Sequence, residues 1–246
     1  MKRITPSQVR GYLLLCSHMR GYTTLLGHIF GSHPEITGYA EMHRRLRNRQ
    51  ELHRLAQRVA QQSRKSYRQR YVFDNLLHNH LPISQQVLRR SDVYPLLMVR
   101  APKPTIESIL RLQARFITSV EEAERYYVER LQQLQRIVEI SAGKAMFLQG
   151  EALIQRTDET LQQLGNWLQL GTPLQQDYQR FQHTGKRKLG DSSDHIHAGR
   201  ILSEAERKHE GALTITAAQI PRAEVAYEQF MDWLPSQITA DKTVLA

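Results

Sequence analysis

Short apolar runs alternate with longer segments of helical periodicity along most of this chain. The runs have the length and composition of buried strands, and they are Leu13–Cys16, Arg70–Phe73, Val93–Val99 and Ala145–Gln149. The segments of helical periodicity are Thr24–Phe30, Glu41–Lys65, Pro104–Phe116, Val120–Ile140, Asp158–Leu168 and Arg222–Trp233. Strands that alternate with helices predict a three-layer α/β fold, with a central parallel sheet flanked by helices.

The length of 246 residues fits a single domain, residues 1–246. We expect its core over about residues 10–205, a loop over Thr184–Gly199, a C-terminal helix, and a mobile tail after Pro235. Cys16 is the one cysteine, which suits a reducing compartment. No run reaches the roughly 18 apolar residues of a membrane span, and we expect a cytoplasmic protein.

The net charge of +10 predicts attraction to anions such as nucleotides, nucleic acids or anionic lipid surfaces. Much of the excess lies between His43 and Arg70, where leucines at helical spacing suggest a helix with a solvated basic face. Charge alone does not choose among these partners.

The stretch Leu13–Phe30, LLLCSHMRGYTTLLGHIF, reads as a strand, a polar turn and a helix. The first amides of a helix have no partner within it, and the helix dipole places partial positive charge there. A cation in the turn and two threonines at the helix start therefore predict a P-loop-like phosphate site. A Walker A loop would need a lysine directly before the threonines, and this chain has none there.

The turn resembles the 5′-phosphosulfate loop of sulfotransferases that use 3′-phosphoadenosine 5′-phosphosulfate (PAPS), which reads roughly [KR]-[SA]-G-[ST]-[ST]. Its residues here are Arg20, Gly21, Tyr22, Thr23 and Thr24. The resemblance implies that these five bind the nucleotide. Tyr22 departs from the family pattern, which has glycine there, and a tyrosine does not take a positive φ without cost.

Two further segments extend the resemblance. In that family an arginine that closes a strand and a serine eight residues later hold the 3′-phosphate, and Arg100 and Ser108 match this pair. A guanidinium fork and a hydroxyl are suited to phosphate oxygens. A late basic loop covers the nucleotide in the family, and its cations here would be Lys186, Arg187 and Lys188.

The resemblance implies in-line transfer of the sulfuryl group of PAPS to an acceptor hydroxyl or amine, without a metal. Arg20 would stabilise the leaving group. The segment GSHPEITGYAEMH is similar to the family's stretch after the first helix, which makes Glu41 the candidate base and His43 its alternative. We expect Glu41 to be partly buried with a pKa near ambient pH, and Asp74 could also orient the acceptor.

Other interpretations stay open at this level. The chain could be a P-loop nucleotide kinase or NTPase, or a basic protein that binds nucleic acid or an anionic surface. Metal binding through His78 and His80, or His195 and His197, is weakly indicated because neither pair has an acidic or thiol partner at zinc-like spacing. Our preferred partner is a small-molecule, lipid or carbohydrate acceptor, with peripheral membrane contact open, no nucleic acid, and the oligomeric state undetermined.

Overall fold

A computed structural model describes residues 9–63, 70–112, 117–141, 143–182, 184–185, 194–207 and 213–246. These residues form a six-stranded, entirely parallel sheet in the order β2-β3-β1-β4-β5-β6. The strands are β1 (Gly11–Ser17), β2 (Ile36–Thr37), β3 (Tyr71–Leu76), β4 (Val93–Val99), β5 (Met146–Gln149) and β6 (Thr243–Val244). The α/β prediction with a central parallel sheet is confirmed.

Eight α-helices connect and cover the strands in the described residues, together with short 3₁₀ turns. They are α1 (Thr23–Ser32), α2 (Arg49–Ser63), α3 (Gln85–Leu88), α4 (Pro102–Arg111), α5 (Val120–Ile140), α6 (Ala152–Gln155), α7 (Thr157–Trp167) and α8 (Pro221–Trp233). None of them combines the length and apolarity needed to span a membrane.

Strand β1 lies at the centre and explains why its sequence is a continuous apolar run. It pairs with β3 on one side and β4 on the other, and all seven of its residues are buried. Successive side chains point to opposite faces, so Leu14 packs into one core and Leu13 into the other. The first core lies under α2–α5 and α8, and the second under α1, α6 and α7.

Helix α2 begins eight residues later than predicted, which changes the setting of the candidate base. The Asn48 side chain accepts a hydrogen bond from the Glu51 amide at 3.1 Å and so caps the helix start. Glu41 and His43 therefore lie in a loop between β2 and α2. The backbone of His43 has a φ of 49°, in the left-handed region.

Other boundaries also differ from the prediction. Strand β3 continues through Asp74 to Leu76 instead of ending before Asp74. Helix α1 includes Gly31, which was expected to follow it. The segment after Pro235 is not a loose tail, because Val244 pairs with β5 and is buried in the second core. The two-residue strands were missed because so short a run has no readable period.

Candidate active site

The loop between β1 and α1 forms the predicted strand–turn–helix junction at the carboxyl edge of the sheet. Arg20 and Tyr22 both have left-handed backbones, with φ of 64° and 65°. Between them, a Cβ on Gly21 would lie 2.9 Å from Ser17 Oγ and 3.1 Å from the His18 ring, so glycine fits because of space. The loop therefore turns tightly onto the N-terminus of α1, where Thr23 is buried.

Tyr22 combines a left-handed backbone with a ring that two guanidinium groups contact. A non-glycine residue in the left-handed region costs roughly 1–3 kcal/mol. The Arg100 and Arg207 guanidinium carbons lie 4.4 Å and 5.0 Å from the centroid of the Tyr22 ring. Cation–π contacts of this kind contribute about 0.5–1 kcal/mol each at exposed sites, so they offset part of that cost.

Hydrogen bonds link Arg20 to both Ser108 and Arg100. Arg20 Nε donates to Ser108 Oγ at 2.8 Å, and one amino group of Arg100 donates to the Arg20 carbonyl at 3.2 Å. Ser108 is buried on α4. Both guanidinium groups therefore lie beside the N-terminus of α1, which concentrates positive charge at this edge.

Glu151, which follows β5, balances part of this charge. Its Oε1 accepts a hydrogen bond from the Ala101 amide at 3.1 Å and lies 3.9 Å from Arg100 Nε. Arg100 Nε is buried and makes no hydrogen bond within the described part of the chain. Burial lowers the pKa of Arg100, and the nearby Tyr22 and Glu151 partly oppose this.

His18 is a buried residue of the site that sequence reasoning missed. The Arg100 amide donates to His18 Nε2 at 2.9 Å, so Nδ1 carries the proton and donates to the Met19 carbonyl at 2.9 Å. Burial lowers the pKa of His18 to about 4. The neutral His18 side chain thus fixes the spacing between the loop after β1 and the loop after β4. The sequence signal that could have identified it is its position directly after a buried strand.

Three side chains of helix α5, none of them singled out from the sequence, form hydrogen bonds to the backbone at the edge of the sheet where the site lies. Tyr127 donates to the Arg100 carbonyl at 2.6 Å. Tyr126 accepts from the Met19 amide at 2.8 Å and donates to the Leu77 carbonyl at 2.9 Å. Buried Arg130 donates to the carbonyls of Ser17 (2.8 Å) and Leu76. One helix therefore ties together the carboxyl ends of β1, β3 and β4.

Glu41 lies between the imidazoles of His43 and His78. The Tyr126 hydroxyl joins Leu77, next to His78, to Met19, next to Arg20. His43 Nδ1 is 3.4 Å from Glu41 Oε1, and His78 Nε2 is 3.6 Å from Glu41 Oε2. Burial alone would raise the pKa of Glu41, but the contacts with His43 and His78 outweigh it and lower the pKa to about 2. The expectation of a pKa near ambient pH is therefore wrong, because the sequence did not reveal the two histidines as partners.

Asp74, named from the sequence as a residue that could orient the acceptor, is closed off from solvent. Its side chain is fully buried within β3, where Oδ1 accepts from the Met42 amide at 2.8 Å. Burial raises its pKa well above the usual range. Asp74 instead holds the backbone of the loop that carries Glu41 and His43.

The sequence singled out two other groups of basic residues, the late basic loop and the segment that contains α2. Lys186, Arg187 and Lys188 lie outside the described residues. Just before them, Thr184 Oγ1 lies 2.7 Å from His28 Nε2 on α1. Helix α2 presents its arginines to solvent and buries its apolar face, as predicted for a helix with a solvated basic face.

Comparison with known proteins places this geometry in a known fold. No protein-family model matches the sequence, and no curated protein matches it. The sulfotransferase domain from the Synechococcus PCC 7002 olefin synthase superposes with a TM-score of 0.63 and 16% identity, over 94% of this chain and 98% of that domain. The sulfotransferase domain from the curacin biosynthetic pathway gives a TM-score of 0.55 and 15% identity, over 95% and 98%. The chain therefore has the fold of these sulfotransferase domains.

Proposed function

We propose that the protein is a sulfotransferase that moves the sulfuryl group of PAPS to an acceptor hydroxyl or amine. The observation that carries the proposal is the contact of Arg20 with Ser108, beside Arg100 and the N-terminus of α1. Two guanidinium groups, a hydroxyl and the N-terminus of α1 form a surface suited to a ligand with more than one phosphate-like group.

The donor side of the site fits such a nucleotide. The buried Arg100 Nε makes no hydrogen bond within the described residues, and charge-assisted bonds contribute roughly 1.5–3 kcal/mol each. PAPS would supply an activated sulfuryl group whose leaving oxygen becomes negatively charged. Arg20 and Ser108 are close enough to act on one anionic group, and Thr23 and Thr24 are the first two residues of α1.

The acceptor side is assigned to the loop that carries Glu41 and His43. Met19 and Leu77 both bond to the Tyr126 hydroxyl, so the loop with Arg20 and the loop with His78 are neighbours. Glu41 is ionised at neutral pH and can accept a proton as the acceptor oxygen bonds to sulfur. His43, whose pKa the Glu41 contact raises, stabilises the carboxylate when protonated and is the alternative base.

Binding of adenosine 3′,5′-bisphosphate, the desulfated donor product, tests the proposal by calorimetry on the full chain. We expect it to bind at least tenfold more tightly than adenosine 5′-monophosphate, without a metal. Arg20→Gln should remove most of this binding, whereas Arg58→Gln, which deletes the same charge on the exposed face of α2, should not. Equal affinity for the two nucleotides would overturn the proposal, and magnesium-dependent ATP binding would favour a kinase or NTPase.

The role of Glu41 has its own test. With labelled PAPS and an added alcohol or water as acceptor, Glu41→Gln should lower kcat about 100-fold and leave the affinity for adenosine 3′,5′-bisphosphate unchanged. His80→Gln is the matched control, because His80 is exposed and two residues from His78. An unchanged kcat in Glu41→Gln would remove it as the base.

A further inference from the structure

Glu41, His43 and His78 form a compact cluster of potential metal ligands. One donor atom from each of the three side chains lies within 4.8 Å of the other two. His43 Nδ1 lies 3.4 Å from Glu41 Oε1, and His78 Nε2 lies 3.6 Å from the other carboxylate oxygen, Oε2. Two ligands of a tetrahedral ion with bonds of about 2.1 Å lie about 3.4 Å apart. Each imidazole nitrogen therefore lies at nearly the distance from a carboxylate oxygen that separates two ligands of a tetrahedral ion.

The cluster is assembled by the fold from two distant stretches of chain. The loop with Glu41 and His43 is fixed through Met42, whose amide bonds to Asp74. Leu77, next to His78, is held by the Tyr126 hydroxyl. The imidazoles of His43 and His78 stack with centroids 5.6 Å apart and an interplanar angle of 24°. Side chains held on anchored loops in this way lose little further freedom when they bind an ion.

The burial of the three groups suits a site that is open on one side. The Glu41 side chain is 13% exposed and that of His78 is 18% exposed, whereas that of His43 is 55% exposed. Glu41 Oε1 is buried and makes no hydrogen bond among the described residues. The cluster thus offers a sheltered oxygen with unused acceptor capacity and a nitrogen that solvent reaches.

We propose that Glu41, His43 and His78 bind a divalent transition-metal ion of the Zn²⁺ type. Two imidazoles and one carboxylate match the ligand preference of Zn²⁺ and Co²⁺, whereas Mg²⁺ and Ca²⁺ prefer oxygen-only sites. Three protein ligands leave a fourth position for water. His80, whose ring lies 5.3 Å from that of His78, belongs to the surroundings and not to the ligand set.

The ion would change what Glu41 can do. A carboxylate bound to a metal no longer accepts a proton, so Zn²⁺ should inhibit the transfer reaction reversibly, and a chelator should restore it. This consequence rests on the proposed function, whereas the binding site itself does not.

Cobalt spectroscopy tests the site without any nucleotide. The full chain, without a histidine tag, is titrated with Co²⁺, whose visible absorption intensifies when it is bound in a tetrahedral site. We expect binding of one ion, displacement by Zn²⁺, and at least tenfold weaker Co²⁺ binding in His78→Gln and in Glu41→Gln. His80→Gln should bind as the unmodified protein does.

Several results would overturn the proposal. They are the absence of a tetrahedral Co²⁺ spectrum, equal binding in the unmodified protein and His78→Gln, or loss of binding in His80→Gln. Circular dichroism on each variant separates loss of a ligand from loss of the fold. Absence of nucleotide binding with an intact Co²⁺ spectrum would count against the proposed function alone.

Discussion

Arg20 Nε donates a hydrogen bond of 2.8 Å to Ser108 Oγ across 88 residues of chain. Arg20 follows β1 and Ser108 lies on the helix after β4, and these two strands are neighbours in the sheet. Because carboxyl ends of parallel strands share one edge, the sheet brings the two side chains together. The pair gives the candidate anion site its fixed geometry.

Ser108→Ala should weaken the binding of adenosine 3′,5′-bisphosphate about tenfold, the equivalent of one charge-assisted hydrogen bond at the low end of its range. The variant leaves Arg20 Nε without its present partner and removes a hydroxyl from the site. Isothermal titration calorimetry measures the change. Ser236→Ala is the control, since that exposed hydroxyl bonds to the Trp233 carbonyl. An unchanged Kd in Ser108→Ala would place the ligand elsewhere.

His18 should make the stability of the fold depend on pH in a defined window. Its pKa of about 4 in the folded protein lies below the usual 6.5, so between these values the unfolded chain binds a proton that the folded chain does not. The free energy of unfolding should therefore fall as pH drops from 6.5 towards 4 and level off below, a loss of about 3 kcal/mol in all.

Urea unfolding at a series of pH values measures this effect in the unmodified protein and in His18→Gln. Glutamine can still accept from the Arg100 amide but does not titrate. The variant should show a shallower pH dependence over the same window. Identical profiles for the two proteins would contradict the assignment of a buried neutral histidine.

Position 22 offers a comparison that isolates backbone strain. Tyr22→Ala and Tyr22→Gly both remove the ring that contacts Arg100 and Arg207, but glycine alone takes a φ of 65° without penalty. The glycine variant should be the more stable of the two by about 1 kcal/mol. Thermal or urea unfolding measures the difference, and a more stable alanine variant would show that the loop is not left-handed there.

Arg130→Met should destabilise the fold by about 3 kcal/mol, because it leaves the buried carbonyls of Ser17 and Leu76 unpaired. Arg136→Met is the matched control, since Arg136 is exposed on the same helix and should change stability little. Urea unfolding separates the two variants. Equal stability of both would mean that Arg130 does not hold the strand ends.

Much of the fold could be predicted because strands buried in a parallel sheet have continuous apolar sequences. Strands β1, β4 and β5 were recognised for this reason, and α5 from its periodicity. The start of α2 was missed because apolar spacing continued upstream of the true cap, Asn48. The strands β2 and β6 consist of two residues each, too few for any pattern.

Within the site, the sequence indicated residues whose chemistry is local and missed those defined by distant partners. Arg20 and Arg100 follow strands and were recognised by position. His18, Tyr126 and Arg130 act through backbone groups 49 to 113 residues away, which no short pattern records. The pairing of Glu41 with His78 was missed for the same reason, and it altered the expected ionisation of that carboxylate.

Under the proposed function, the hydroxyl of Tyr126, bonded to both Met19 and Leu77, has a consequence for substrate choice. It sets the span between the loop that carries Arg20 and the loop that carries His78 by two hydrogen bonds to backbone, not by flexible side chains. In a transferase built this way, the length of the acceptor decides whether it reacts. Its nucleophile must span the fixed distance between the two loops. Replacing Tyr126 would then change the size of the acceptor molecules that react, while Arg20 and Arg100 on one side and Glu41 and His43 on the other stay in the chain.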